Sequence, residues 1–144
     1  MQVQQILKTK GDDGVVTVMP GSTLAQAAQV LATRKIGALI VSEDGKRAAG
    51  ILSERDIVRE LGRHGVAALA LSVEEVMTRK LVTCTRDCTT EKVMERMTDG
   101  RFRHMPVMEG DEMIGLISIG DVVKARLADL HMEKEALTGM IMGN

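Results

Sequence analysis

"GILSERDIV", residues 50–58, and "GLISIGDVV", residues 115–123, are the two stretches on which the reading of the fold turns. Each begins with apolar, strand-forming residues and passes through a serine into helical spacing. In each, a serine and an aspartate stand three apart, Ser53 with Asp56 and Ser118 with Asp121. This is the spacing of a capping box, in which a hydroxyl and an acid satisfy N–H groups at a helix start. It is also a spacing that a nucleotide site can use, with the hydroxyl for phosphate and the carboxylate for ribose. Spacing alone leaves both readings open.

Working outward, the two stretches are the ends of an internal repeat. "VTVMPGSTLAQAAQVLATRKIGALIV" from Val16 aligns without a gap on "VTCTRDCTTEKVMERMTDGRFRHMPV" from Val82. One residue is lost in the next loop, after which Gly50 matches Gly115. Each copy predicts a short opening strand (15–18; 81–84). A helix follows, with apolar positions at 24, 27, 28 and 31 or at 93, 94 and 97. Two strands come next, 38–41 and 49–52 in the first copy, 104–108 and 113–117 in the second. They are joined by the polar turns "SEDGKR" and "EGDE". A helix from each serine closes the copy. The expected fold is α+β: two pseudo-symmetric β-α-β-β-α repeats packed sheet to sheet, helices outside, with clefts between the copies for small ligands. Repeat 1 is placed at 8–72, repeat 2 at 73–130 and a helical extension at 131–144. "LSVEEVM" between the copies reads as a helical turn capped by Ser72 and Glu75. The last helix carries Val122, Val123, Leu127, Leu130 and Leu137, more apolar positions than one repeat needs, which points to a partner surface.

Composition narrows the function. The 144 residues are 44% hydrophobic and 27% charged, ordinary for a chain that buries a core. Net charge is −1 and neither half is basic, which argues against nucleic acid. Phe102 is the one aromatic residue beside 11 Met. Stacking platforms for single strands are therefore missing. No apolar run reaches the ~20 residues of a membrane span, and the first residues lack the pattern of a secretory signal. A cytoplasmic location is the expectation. Cys84 and Cys88 lack further ligands at zinc spacing and read as ordinary thiols. No nucleophile–base pair, HExxH or P-loop is present, so no enzyme is expected.

The tandem units, each closing on G-[IL]-[LI]-S-x-x-D, with "RHMPV" (103–107) before the second closure, resemble a pair of CBS (cystathionine β-synthase) domains, the Bateman module. The likeness runs from Val15 to about Leu130. It implies a stand-alone regulatory sensor that binds AMP, ADP or ATP in the inter-repeat clefts and forms a homodimer. The alternatives are a sensor of NAD(H) or S-adenosylmethionine, or a ligand-free dimerisation scaffold. An unidentified effector protein is the further partner. By the same resemblance Asp56 and Asp121 match the ribose carboxylates, and Ser53 and Ser118 the hydroxyl facing phosphate or ribose. A plain N-cap explains the serines nearly as well. Thr17 and Thr83 match a ligand-side threonine. Ile36, Gly37 and Ala38 correspond to Phe102, Arg103 and His104, a segment that walls the adenine, with Met105 and Pro106 following. Arg103 and His104 replace small neutral residues, so the two clefts should differ, and the one reached by Arg103 should accept more phosphate charge. Arg55 is assigned to phosphate or to an interface ion pair, without a choice between them.

Overall fold

The computed structural model describes residues 1–10 and 14–141. Among these, the strands are β1 (Thr17–Val18), β2 (Ala38–Val41), β3 (Gly50–Ser53), β4 (His104–Glu109) and β5 (Glu112–Ser118). The helices are α1 (Val3–Lys10), α2 (Leu24–Arg34), α3 (Glu54–His64), α4 (Val73–Val76), α5 (Thr90–Gly100) and α6 (Ile119–Ile141), with a 3₁₀ helix at Gly65–Ala70. The chain divides into two compact units. One is Gly14–Val82 with the hairpin tip Met108–Ile114. The other combines residues 1–10, Thr83–Val107 and 115–141.

Local chemistry is duplicated. Thr23 caps α2 and Thr89 caps α5, each hydroxyl accepting a backbone N–H three residues on. Each of these helices ends on a left-handed residue, Lys35 at φ 55° and Arg101 at φ 56°. The next N–H in each then turns back, Ile36 to Leu31 O at 3.1 Å and Phe102 to Met97 O at 3.2 Å. These paired stops aim the chain into β2 and β4. All four residues of β2 are buried, as a central strand requires. It pairs in parallel with β1 and antiparallel with β3.

The cores also correspond. Ala27, Leu31, Leu39, Val41, Leu52 and Ile57 are buried in one unit. Their repeat equivalents Val93, Met97, Met105, Val107, Ile117 and Val122 are buried in the other. Leu24 has Thr90 as its counterpart, and the Thr90 hydroxyl is buried with no hydrogen-bond partner among the described residues.

The second opening strand departs from expectation. Val18 pairs with Val41, and the matching pair Cys84–Val107 forms only an isolated parallel bridge. The cause is Pro106. In the first repeat Ile40 N–H donates to Val16 O at 3.1 Å. Pro106 stands at Ile40's place and has no N–H to give, so the ladder loses that rung.

Sequence reading also missed α1. Its stretch "QVQQILKTK" (2–10) parallels "SVEEVMTRK" (72–80). Gln2 N–H donates to Gln5 Oε1 at 2.7 Å as Ser72 N–H donates to Glu75 Oε2 at 2.8 Å. Val3 and Val73 are both fully buried. A Cβ on Gly115 would strike Leu7 as one on Gly50 would strike Met77. Gln2 bridges to Thr89 as Ser72 bridges to Thr23. Thus α4 completes the repeat that precedes it, and α1 completes the repeat that follows.

Candidate ligand-binding site

The Ser-x-x-Asp corners form where a strand ends and a helix begins. In the first repeat Ser53 N–H donates to Asp56 Oδ2 at 2.8 Å, and Asp56 N–H donates to Ser53 Oγ at 3.4 Å. In the second, Ser118 N–H donates to Asp121 Oδ2 at 2.8 Å, and Asp121 N–H donates to Ser118 Oγ at 3.1 Å. The capping role is therefore realised twice. Each corner also meets the turn into its repeat's first long strand. Glu54 N–H donates to Gly37 O at 2.9 Å, and Ile119 N–H to Arg103 O at 2.8 Å. Ala38 pairs directly with Ser53. So Gly37, Ala38, Ser53 and Asp56 lie together in one unit, and Arg103, Ser118 and Asp121 in the other.

The carboxylates differ in their second partners. Asp56 Oδ1 faces Arg59 of its own helix at 3.1 Å. Asp121 Oδ2 accepts at 2.8 Å from Nζ of Lys10, a residue of another helix. Burial pushes the Asp121 carboxyl up. The hydrogen bonds from Lys10 and Ser118, with the Lys10 charge, outweigh that push and hold it below its ordinary value.

The remaining predicted residues are distributed unevenly. Thr17 is half-buried in β1, and Thr83 is half-buried with its carbonyl accepting from Arg96 at 3.1 Å. Ile36 and His104 are half-buried, and Arg55 and Arg103 are exposed. Met105 and Pro106 are buried and belong to the core wall. Phe102 lies against Gly100 at the end of α5.

A separate cavity of about 720 Å³ lies between the β2–β3 loop and the tip of the β4–β5 hairpin. Its lining includes Glu43, Asp44, Glu74, Asp111, Lys46 and Arg47, and none of the predicted site residues. Among the described residues no group of His, Cys, Asp and Glu is placed to hold a metal, and no helix is long and apolar enough to cross a membrane.

Comparison with known proteins agrees with this architecture. The CBS domain profile matches residues 7–63 and 73–128. The chain is 33% identical to the CBS domain-containing protein CBSX3, mitochondrial, of Arabidopsis thaliana, over 98% of this chain and 72% of that one. The crystal structure of the CBS-domain containing protein ATU1752 from Agrobacterium tumefaciens superposes with a TM-score of 0.83 at 46% identity. It covers 87% of this chain and 92% of that one. The CBS domain pair of protein MJ0100, solved in complex with 5′-methylthioadenosine and S-adenosyl-L-methionine, shares the fold at 21% identity with a TM-score of 0.78. There the coverage is 90% of this chain and 98% of that one.

Proposed function

Because the chain belongs to the CBS domain family and carries the domain twice, we propose that it is a regulatory module that senses adenine nucleotides (AMP, ADP or ATP) and catalyses no reaction. The observation that carries this reading is the repeated corner. In both repeats an aspartate at a helix start lies beside the turn that opens the first long strand. A carboxylate offers one acceptor oxygen to each hydroxyl of a ribose. The adjoining helix N-terminus favours the anion of a phosphate. Arg103 beside the second corner adds a planar donor fork suited to phosphate. In this reading Thr17 and the segment 36–38 serve the base at the first repeat's corner, Thr83 and the segment 103–106 at the second's, and Arg55 serves phosphate.

A second reading, an S-adenosyl ligand, is favoured by the molecules held by MJ0100. Thermal melting with AMP, ATP, NAD and S-adenosylmethionine separates the two, because any ligand of the native state raises the midpoint. Asp56→Ala and Asp121→Ala should each remove part of the AMP shift. No shift with any of the four at millimolar concentration would leave only a dimerisation scaffold. The exposed residues Val123, Leu127, Leu130 and Leu137 of α6 favour a homodimer. Sedimentation at micromolar concentration tests it, and a monomer there removes that part.

A further inference from the structure

The two aspartates are held by different kinds of partner. Asp56 pairs with Arg59, three residues along the same helix. Asp121 pairs with Lys10, which arrives from α1, 111 positions away in sequence. Lys10 Nζ also donates to Leu116 O at 2.9 Å. In the first repeat the matching carbonyl, Ile51 O, accepts a backbone N–H, that of Thr78, at 2.9 Å. A side-chain ammonium therefore does in one repeat what the main chain does in the other, and it also reaches the carboxylate.

We infer that Lys10 sets the affinity of the second repeat's corner by competing with ribose for Asp121, so that binding there loosens the C-terminal end of α1. The inference rests on the ribose reading above. Each carboxylate oxygen carries two acceptor positions. Both positions of Asp121 Oδ2 are filled, by Ser118 N–H and by Lys10. Oδ1 can take one ribose hydroxyl. In the side-by-side grip of a vicinal diol, one hydroxyl per oxygen, the second hydroxyl meets Oδ2, where one donor must leave. Ser118 N–H is fixed by the backbone, whereas the lysine head rides on a flexible four-carbon stem. Lys10 is therefore the donor that yields. Its departure breaks the ion pair to Asp121 and loosens the hold of the same ammonium on Leu116 O, which weakens the anchoring of that end of α1. The first repeat has no such coupling, because Arg59 belongs to the helix that carries Asp56.

The test uses adenosine, which carries the diol and no charge, titrated calorimetrically into the full chain. Asp56→Ala silences the first repeat in all samples. Lys10→Met should bind adenosine about two- to five-fold tighter, the scale of a partly exposed ion pair. Lys10→Arg, which keeps the charge, should not bind tighter. In the chain with Lys10 intact, adenosine should raise amide hydrogen exchange in the last turn of α1. In Lys10→Met that exchange should already be high and should not respond. Should Lys10→Met fail to fold, the exchange response with Lys10 intact decides alone. Binding with unchanged or weakened affinity in Lys10→Met, or no exchange response in α1, overturns the competition and leaves the ribose reading standing. No binding of adenosine or AMP to either chain overturns the ribose reading and the competition with it.

Discussion

Val3→Ala is the sharpest test of the claim that α1 is built into the core of the second repeat. Val3 is fully buried although it stands near the start of an eight-residue helix. Its backbone N–H donates to Cys88 O at 2.9 Å, and the neighbouring Gln4 N–H donates to Arg86 O at 2.9 Å. The helix is thus pinned across the loop that precedes α5. Truncation removes two methyl groups from a closed site. The transfer term is about 0.8 kcal/mol for each carbon lost. The cavity left behind brings the total to about 2–3 kcal/mol. For a chain of this size that corresponds to a fall in Tm of roughly 5–10 °C. Val73→Ala should cost about the same, because Val73 holds the equivalent place and is equally buried. Val66, 79% exposed, is the control, and Val66→Ala should change stability by less than about 0.5 kcal/mol. Urea unfolding followed by circular dichroism measures all three. A loss at Val3 no larger than that at Val66 would refute the integration of α1, whatever happened at Val73.

Three further outcomes are expected. Thr90→Val should stabilise the chain by about 1 kcal/mol, since it replaces an unsatisfied buried hydroxyl at a place where the first repeat has Leu24. A lower urea midpoint would show that the hydroxyl has a partner in solution. Asp121 has a folded pKa held below its ordinary value near 3.8. Its contribution is therefore complete above that value and lost as pH falls through the folded pKa. Asp121→Asn should reduce stability at pH 6 and flatten the decline below about pH 4, and an unaltered acid limb would contradict the Lys10 and Ser118 bonds. Burial, with Cys88 adding, pushes the Cys84 thiol up to about 12. At Cys88 the hydrogen bonds of Thr85 and the Arg96 charge outweigh burial and lower the pKa. Iodoacetamide at pH 8 should label Cys88 first and Cys84 only on unfolding, and equal rates in the native chain would refute that order.

Much of the fold is written in local chemistry that a sequence displays. The capping threonines, the polar turns and the Ser-x-x-Asp corners are short-range signals, and the strand at Ala38–Val41 falls where its apolar run predicts. The second opening strand is misleading in sequence because "LVTC" is strand-prone in itself, whereas its ladder depends on a donor that Pro106 lacks, more than twenty residues away. The helix α1 is hidden in the sequence for a different reason. Its likeness to 72–80 is visible on self-comparison, yet it runs at an offset of 70, outside the register that relates the other elements. The capping role of Asp56 and Asp121 follows from spacing, but their second partners do not. Arg59 lies at helical spacing from Asp56 and is recognisable in hindsight, whereas Lys10 reaches Asp121 only through the tertiary fold.

The position of α1 has a consequence for the order in which the chain acquires structure. Most of the first unit, Gly14–Val82, is contiguous and has nearly all its partners as soon as it has been synthesised. Lys10, by contrast, waits for a residue 111 positions downstream. At about 5–20 residues per second of synthesis, that interval is roughly 5–25 s. Throughout it the buried face of α1, Val3 and Ile6, has no core to enter. A helix of eight residues is too short to persist by itself in water. A segment made before the first unit is therefore among the last to fold, and slowing synthesis across residues 83–125 lengthens the time during which it is open to chaperones and proteases.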